Sequence, residues 1–188
     1  GPLSCCAEGY RLLGKYDEAL NYYFEAEKIE NFFGSATDEK ADLYKGIGIC
    51  SRNNHSRSIE YLRNAVLISK KIEDKQLSIK ISFECYGYLI EEYLRHNRLK
   101  EALQVFSEIE TLRSSASKEA LENKEIQIRL NVIDRLKCQA DVSLYQNNSE
   151  GLAQSIKFAQ TCFTNAHRLQ HKLGMVKSLA LILRIYSM

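Results

Sequence analysis

The chain has no tryptophan, two methionines and a single proline, Pro2. Without a later proline, nothing forces a break into any helix beyond the first residues, and with only nine glycines the sequence does not read as a loop-rich or low-complexity polymer. Long apolar runs are missing as well. The longest, Leu179-Ala180-Leu181-Ile182-Leu183, is bracketed by Lys177 and Arg184 and falls far short of the roughly 20 residues that cross a bilayer, so no membrane span is expected. The six cysteines (Cys5, Cys6, Cys50, Cys85, Cys138, Cys162) form no C-x-x-C and no regular framework, which argues against a disulfide scaffold or a zinc ribbon. Reduced, largely buried thiols in a cytosolic (cytoplasmic) or nuclear protein are the expectation, with Cys6 in the core.

Basic patches are also scarce. The net charge of +2 hides a split in which residues 1–94 carry 12 Lys and Arg against 15 Asp and Glu, and residues 95–188 carry 14 against 9. Neither half has the dense positive patch of a nucleic-acid binder, so no nucleic acid and no membrane is expected as partner. The opening Gly1-Pro2-Leu3-Ser4 has the look of a cleaved fusion tag, and residues 1–4 are read as such a remnant.

What is present is self-similarity. In "AEGYRLLGKYDEALNYYFEAEKI", residues 7–29, Ala7, Tyr10, Tyr16, Ala19, Tyr23 and Ala26 recur at intervals of three and four around an interruption at Gly14, the pattern of a helix-turn-helix hairpin. Its second half returns as "HSRSIEYLRNAVLI" (55–68) and "RLKEALQVFSEIETL" (98–112). Ala19, Ser58 and Ala102 then correspond at separations of 39 and 44 residues, followed by Tyr23, Leu62 and Phe106, and by Ala26, Ala65 and Ile109. Turns fall at Gly14, Asn53 and Asn97. A fourth, degenerate copy places Ser155, Ala159, Cys162 and Ala166 on a small-residue stripe.

The expected helices are 4–13 with 15–32, 37–52 with 55–73, 75–96 with 98–114, and 117–146 with 149–171, and then a lone helix over 174–186. Gly46 and Gly48 are expected to allow close helix approach. Hydroxyl and carboxylate groups at Ser35–Glu39 and at Ser114–Glu119 suit helix starts, where free amides and the positive dipole end want an acceptor. The fold class expected is all-α.

Catalytic or metal chemistry finds little support. Cys162, His167 and His171 form the most enzyme-like group; the two histidines would share a helix face, but Cys162 lies about 140° around that helix from His167. No glutamate separates the histidines as a zinc protease requires. "GIGIC" (46–50) lacks the phosphate-loop pattern. No catalytic residue, no metal ligand and no cofactor is assigned, and the expectation is a protein that is not an enzyme.

Residues 5 to about 113 resemble the tetratricopeptide repeat, through Tyr10, Gly14, Tyr16, Ala19, Tyr23 and Ala26 in the first copy and Tyr86, Ala102 and Phe106 in the third. The resemblance implies a right-handed αα-superhelix, a solenoid of about four antiparallel helix pairs plus a C-terminal helix. It makes residues 5–188 a single domain, with repeats at about 5–32, 37–73, 75–114 and 117–171 and a capping or next-repeat helix at 174–186. It further implies that the first helices line a concave groove for peptides or partner helices. The groove positions fall on Glu8, Arg11 and Leu12, on Lys40, Leu43, Ile47 and Cys50, and on Glu84, Gly87, Glu91, Leu94 and Arg95. Ser4, Glu8 and Glu91 stand where the family's carboxylate-gripping subset needs cations or amides, so chaperone tails are disfavoured as ligands.

The function expected from this resemblance is that of a non-catalytic protein-protein interaction module of a larger scaffold or adaptor. A peptide-sensing regulator of the bacterial tetratricopeptide type is one alternative. A self-associating structural subunit, a homodimer through the C-terminal helices (126–145 and 179–186), is another.

Overall fold

The computed structural model describes residues 1–33 and 37–188, and among these every regular element is an α-helix. In chain order they are α1 (Pro2–Leu12), α2 (Tyr16–Phe33), α3 (Thr37–Cys50), α4 (His55–Ser69), α5 (Lys75–Arg95), α6 (Leu99–Ser115), α7 (Lys118–Glu122), α8 (Lys124–Tyr145), α9 (Ser149–Arg168) and α10 (Lys172–Tyr186). None is long and apolar enough to cross a membrane. The chain divides into two compact units, Gly1–Glu92 and Tyr93–Met188, with the division inside the last turn of α5.

Within the first unit, α1 packs on α2, α2 on α3, α3 on α4, and α1 also meets α3. The stripes that recur in the sequence are the ones that go inside. Ala7, Ala19, Tyr23, Leu43, Ile47 and Cys50 form one apolar cluster, and Leu62, Ala65, Phe83 and Leu89 are fully buried. Each large side chain removed from water in this way contributes about 1.5–3 kcal/mol. Glycine makes the closest contacts. A Cβ on Gly46 would collide with the Tyr23 ring, and one on Gly48 would lie 2.7 Å from Leu62 Cγ. Ser58 replaces alanine in the second hairpin at no loss of a hydrogen bond, because its hydroxyl donates to the Gly48 carbonyl at 2.8 Å.

In the second unit α8 packs on α9, α9 on α10, and α10 returns to α8, while α6 and α7 also rest on α8. Small residues decide the α9 contact. Gly151, Ser155, Ala159, Cys162 and Ala166 are all buried along one face, opposite Cys138 and Val142 of α8 and Leu181 and Ile185 of α10.

Three connections share one device. Gly14, Asn97 and Gln170 have positive φ (74°, 55° and 57°), and each lets the next amide reach back five residues, Lys15 N–H to Tyr10 O, Arg98 N–H to Tyr93 O and His171 N–H to Ala166 O, at 2.9 Å in each case. The helix thereby ends with its last carbonyls satisfied, and the chain reverses. The turn expected at Asn53 works differently. There Asn54 caps α4, its side chain accepting from Arg57 N–H at 3.0 Å. The expected serine cap holds at Ser117, which accepts from Ala120 N–H. Ser35 and Ala36, expected to help start α3, lie outside the described residues.

Three expectations are corrected. The single helix over 117–146 is two, because Asn123 adopts an extended ψ of 126° and turns its side chain onto Glu125 and Ile126 N–H, ending α7 and capping α8. Cys6 is exposed rather than in the core, as is Cys5, while Cys50, Cys85, Cys138 and Cys162 are buried. His167 and His171 do not share a helix face, since α9 stops at Arg168 and the positive φ of Gln170 turns the chain between them.

Candidate functional site

The first unit contains a solvent-open cavity of about 340 Å³ lined mainly by the first helices of its hairpins. Glu8 and Arg11 come from α1, Asp42, Leu43, Lys45 and Ile49 from α3, and Glu84 and Tyr88 from α5, with Tyr23 of α2 at the floor and Gly1, Ser4, Cys5 and Glu39 completing the wall. Helical spacing explains the set. Glu8 and Arg11 are three apart, as are Asp42 and Lys45, so each pair projects from one side of its helix.

Two charge clusters organise the cavity. Arg11 Nε donates to Glu8 Oε2 at 2.7 Å, and the Tyr23 hydroxyl donates to the same oxygen at 2.9 Å. The Arg11 bond holds the Glu8 carboxyl below its ordinary value of 4.5 in spite of partial burial. Tyr23 shifts the other way, because burial and the adjacent Glu8 carboxylate both oppose its ionisation. In the second cluster Lys45 Nζ lies 2.6 Å from Asp42 Oδ1 and 3.4 Å from Glu84 Oε2. Burial alone would push the ammonium down, but Glu84 and Asp42 overcome it and hold Lys45 charged well above its ordinary range. Burial, with help from Glu84, also raises the Tyr88 phenol. The cavity therefore presents fixed charges of both signs beside the apolar side chains of Leu43 and Ile49. Burial raises the adjacent Cys50 thiol to about 11, so that sulfur stays protonated at neutral pH.

Of the groove positions that the sequence resemblance implies, Glu8, Arg11, Leu43 and Glu84 line this cavity. Lys40 does not: its ammonium reaches sideways to buried Glu30 of α2 at 2.8 Å. Ile47 and Cys50 belong to the core, Ile47 being fully buried, because the face of α3 that carries them packs on α1 and α2. Leu12 is exposed outside the cavity lining, and Glu91 is half-buried on α5. Gly87 is buried in α5, with no described atom within 4 Å of where its Cβ would go. Leu94 and Arg95 fall in the second unit. Tyr23, Asp42, Lys45 and Tyr88 were missed by the sequence reading. The three-residue spacing of Asp42 and Lys45 was the available signal.

The second unit has a smaller polar cavity of about 270 Å³, lined by residues that include Arg113, Asn131, Asp134, Asn165 and Arg168. Arg113 lies 3.5 Å from Asp134, whose carboxyl burial nevertheless pushes above its ordinary value. Asn131 is buried, with no hydrogen-bond partner for Oδ1 among the described residues. The polar residues Asn131 and Asp134, interrupting the apolar spacing of α8, were the sequence signal for this site.

No protein-family model and no curated protein matches the chain.

Proposed function

We propose that this chain is a non-catalytic protein-interaction module with tetratricopeptide-like hairpins, and that the cavity across α1, α3 and α5 receives a peptide or an amphipathic helix of another protein. The observation that carries this reading is the convergence of three first helices on one open cavity that carries the Glu8–Arg11 pair and the Asp42–Lys45–Glu84 cluster, with the largely buried Leu43 and Ile49 in its lining. Apolar anchors of the incoming segment would supply affinity in such a cavity, and charges held in fixed positions set register and reject wrong partners.

The test uses peptides selected from a random library against the parent protein. Titration calorimetry should show selected peptides weakened roughly tenfold by Arg11→Ala combined with Glu84→Gln, a change of about 1.4 kcal/mol. The exposed control Lys118→Ala should bind as the parent does. Equal affinity for the parent and the Arg11/Glu84 variant would remove the cavity as the binding site.

A further inference from the structure

The second unit carries a surface that the proposed cavity does not use. From Gly151 to Met188 the sequence has no Asp or Glu, while it has Lys157, Arg168, Lys172, Lys177 and Arg184. Within this stretch α10 is apolar on two sides. Gly174, Ser178, Leu181 and Ile185 are buried against α8 and α9. About 150° around the helix from that face, Leu173, Val176 and Leu183 are 58%, 65% and 62% exposed.

The exposed residues are ordered. Leu173, Val176, Ala180 and Leu183 follow spacings of three, four and three, the seam of a coiled coil, and the small Ala180 at its middle leaves a recess for an incoming side chain. Lys177 and Arg184 are each one position beyond a seam residue, exposed and seven residues apart, so they run along one edge. Such flanking positions choose the partner by charge. A lipid surface fits less well, because an interfacial helix sets a broad Trp, Phe or Leu face against a strongly charged one, whereas here the small Ala180 interrupts the centre of the face and only Lys172, Lys177 and Arg184 flank it. A second copy of the chain fits less well too. Antiparallel pairing would set the Lys177 and Arg184 edges against each other, and parallel pairing would set them against Lys172, Leu179 and Tyr186, with no acidic residue in α10 to compensate.

We propose that the outer face of α10 is a docking seam for one helix of a partner protein, an amphipathic helix with apolar residues at heptad spacing and acidic residues seven apart along the edge that meets Lys177 and Arg184. This seam is independent of the cavity of the first unit.

The experiment uses the full chain and two synthetic three-heptad helices. Both have leucine at the seam positions; one carries glutamate and the other lysine at all flanking positions. Fluorescence anisotropy should show the glutamate helix binding roughly tenfold tighter than the lysine helix. Val176→Ser with Leu183→Ser should weaken the glutamate helix by a similar factor, with the thermal melt unchanged because both side chains are exposed. Lys177→Glu with Arg184→Glu should invert the preference, a readout that general loss of fold cannot produce. Failure of both helices to bind, equal binding of the two, or a preference unmoved by charge reversal would overturn the seam. So would sedimentation with phosphatidylserine vesicles in place of peptide binding, which would assign the face to lipid. A mass that doubles with concentration, and no longer does so in the serine variant, would assign it to a second copy.

Discussion

Charges around the cavity of the first unit come in opposite-sign pairs, Glu8 with Arg11 and Lys45 with Asp42 and Glu84, whereas the last 38 residues of the second unit hold no acid at all. The two proposed docking regions would therefore recognise partners by different physics. Paired charges are already satisfied and act through geometry at short range, while charge of one sign extends to about a Debye length, roughly 8 Å at physiological salt. Binding at the cavity should depend on shape, and binding at α10 on salt.

The sharpest way to break this comparison is to damage each unit alone. Ala19→Glu in the first unit and Ala159→Glu in the second would each place an unpaired carboxylate at a fully buried position, at a cost of about 3–5 kcal/mol. Hydrogen exchange read by mass spectrometry should lose protection within residues 1–92 for the former and within 93–188 for the latter. Equal loss everywhere would show that the units do not differ in stability control.

A smaller effect separates two glycines of the first unit. Gly46→Val drives side-chain atoms into Tyr23 and should cost about 1–3 kcal/mol, whereas Gly87→Ala meets nothing and should gain about 0.5–1 kcal/mol in denaturant unfolding. The sign difference is the test of whether the buried Gly87 has room for a methyl group.

Acidic pH sets the two units against each other. Glu8 has its folded pKa depressed by Arg11, so its contribution is present above the ordinary value of 4.5 and is lost as pH falls through the lower folded value. Asp134 is shifted upward by burial, so the folded state binds its proton more readily and stability falls as pH rises from 3.8 through the raised folded value. Glu8→Gln should thus lower the melting temperature at neutral pH and cease to matter in acid. Asp134→Asn should raise it at neutral pH and likewise cease to matter in acid. Parallel melts from pH 3 to 7 check both signs.

The least perturbing experiment counts thiols. Cys5 and Cys6 are exposed, whereas burial raises Cys50, Cys85, Cys138 and Cys162 to about 11, 12, 11 and 12. At neutral pH a thiol reagent should label two cysteines rapidly and the remaining four only after unfolding. A third rapid thiol would mark an opening of whichever unit carries it.

Much of this architecture was legible because a helix needs only local information. The three- and four-residue spacing of Ala19, Tyr23 and Ala26, and of Ser155, Ala159, Cys162 and Ala166, specifies which side must be covered. The turns at Gly14 and Asn97 follow from residues that tolerate positive φ. Gln170 gave no such signal, and its turn overturned the shared face expected for His167 and His171. Asn123 could equally have stood inside a longer helix; the extended backbone it adopts lets its side chain cap α8.

The site was less legible. Periodicity shows that Leu43, Ile47 and Cys50 lie on apolar positions of α3, but only the packing of α1 and α2 decides that Ile47 and Cys50 are interior while Leu43 also borders the cavity. Lys40 and Lys45 are both basic residues of α3, yet one is seated on Glu30 of α2 and the other on Glu84 of α5. Sequence alone determined an all-helical chain of recurring hairpins, the stripes that must be buried and the charge asymmetry of its end, because these depend on backbone periodicity and composition. Tertiary structure decided which charges pair, which apolar residues stay exposed on α10 and where a cavity opens, because those depend on the neighbours that distant segments of the chain bring to each helix.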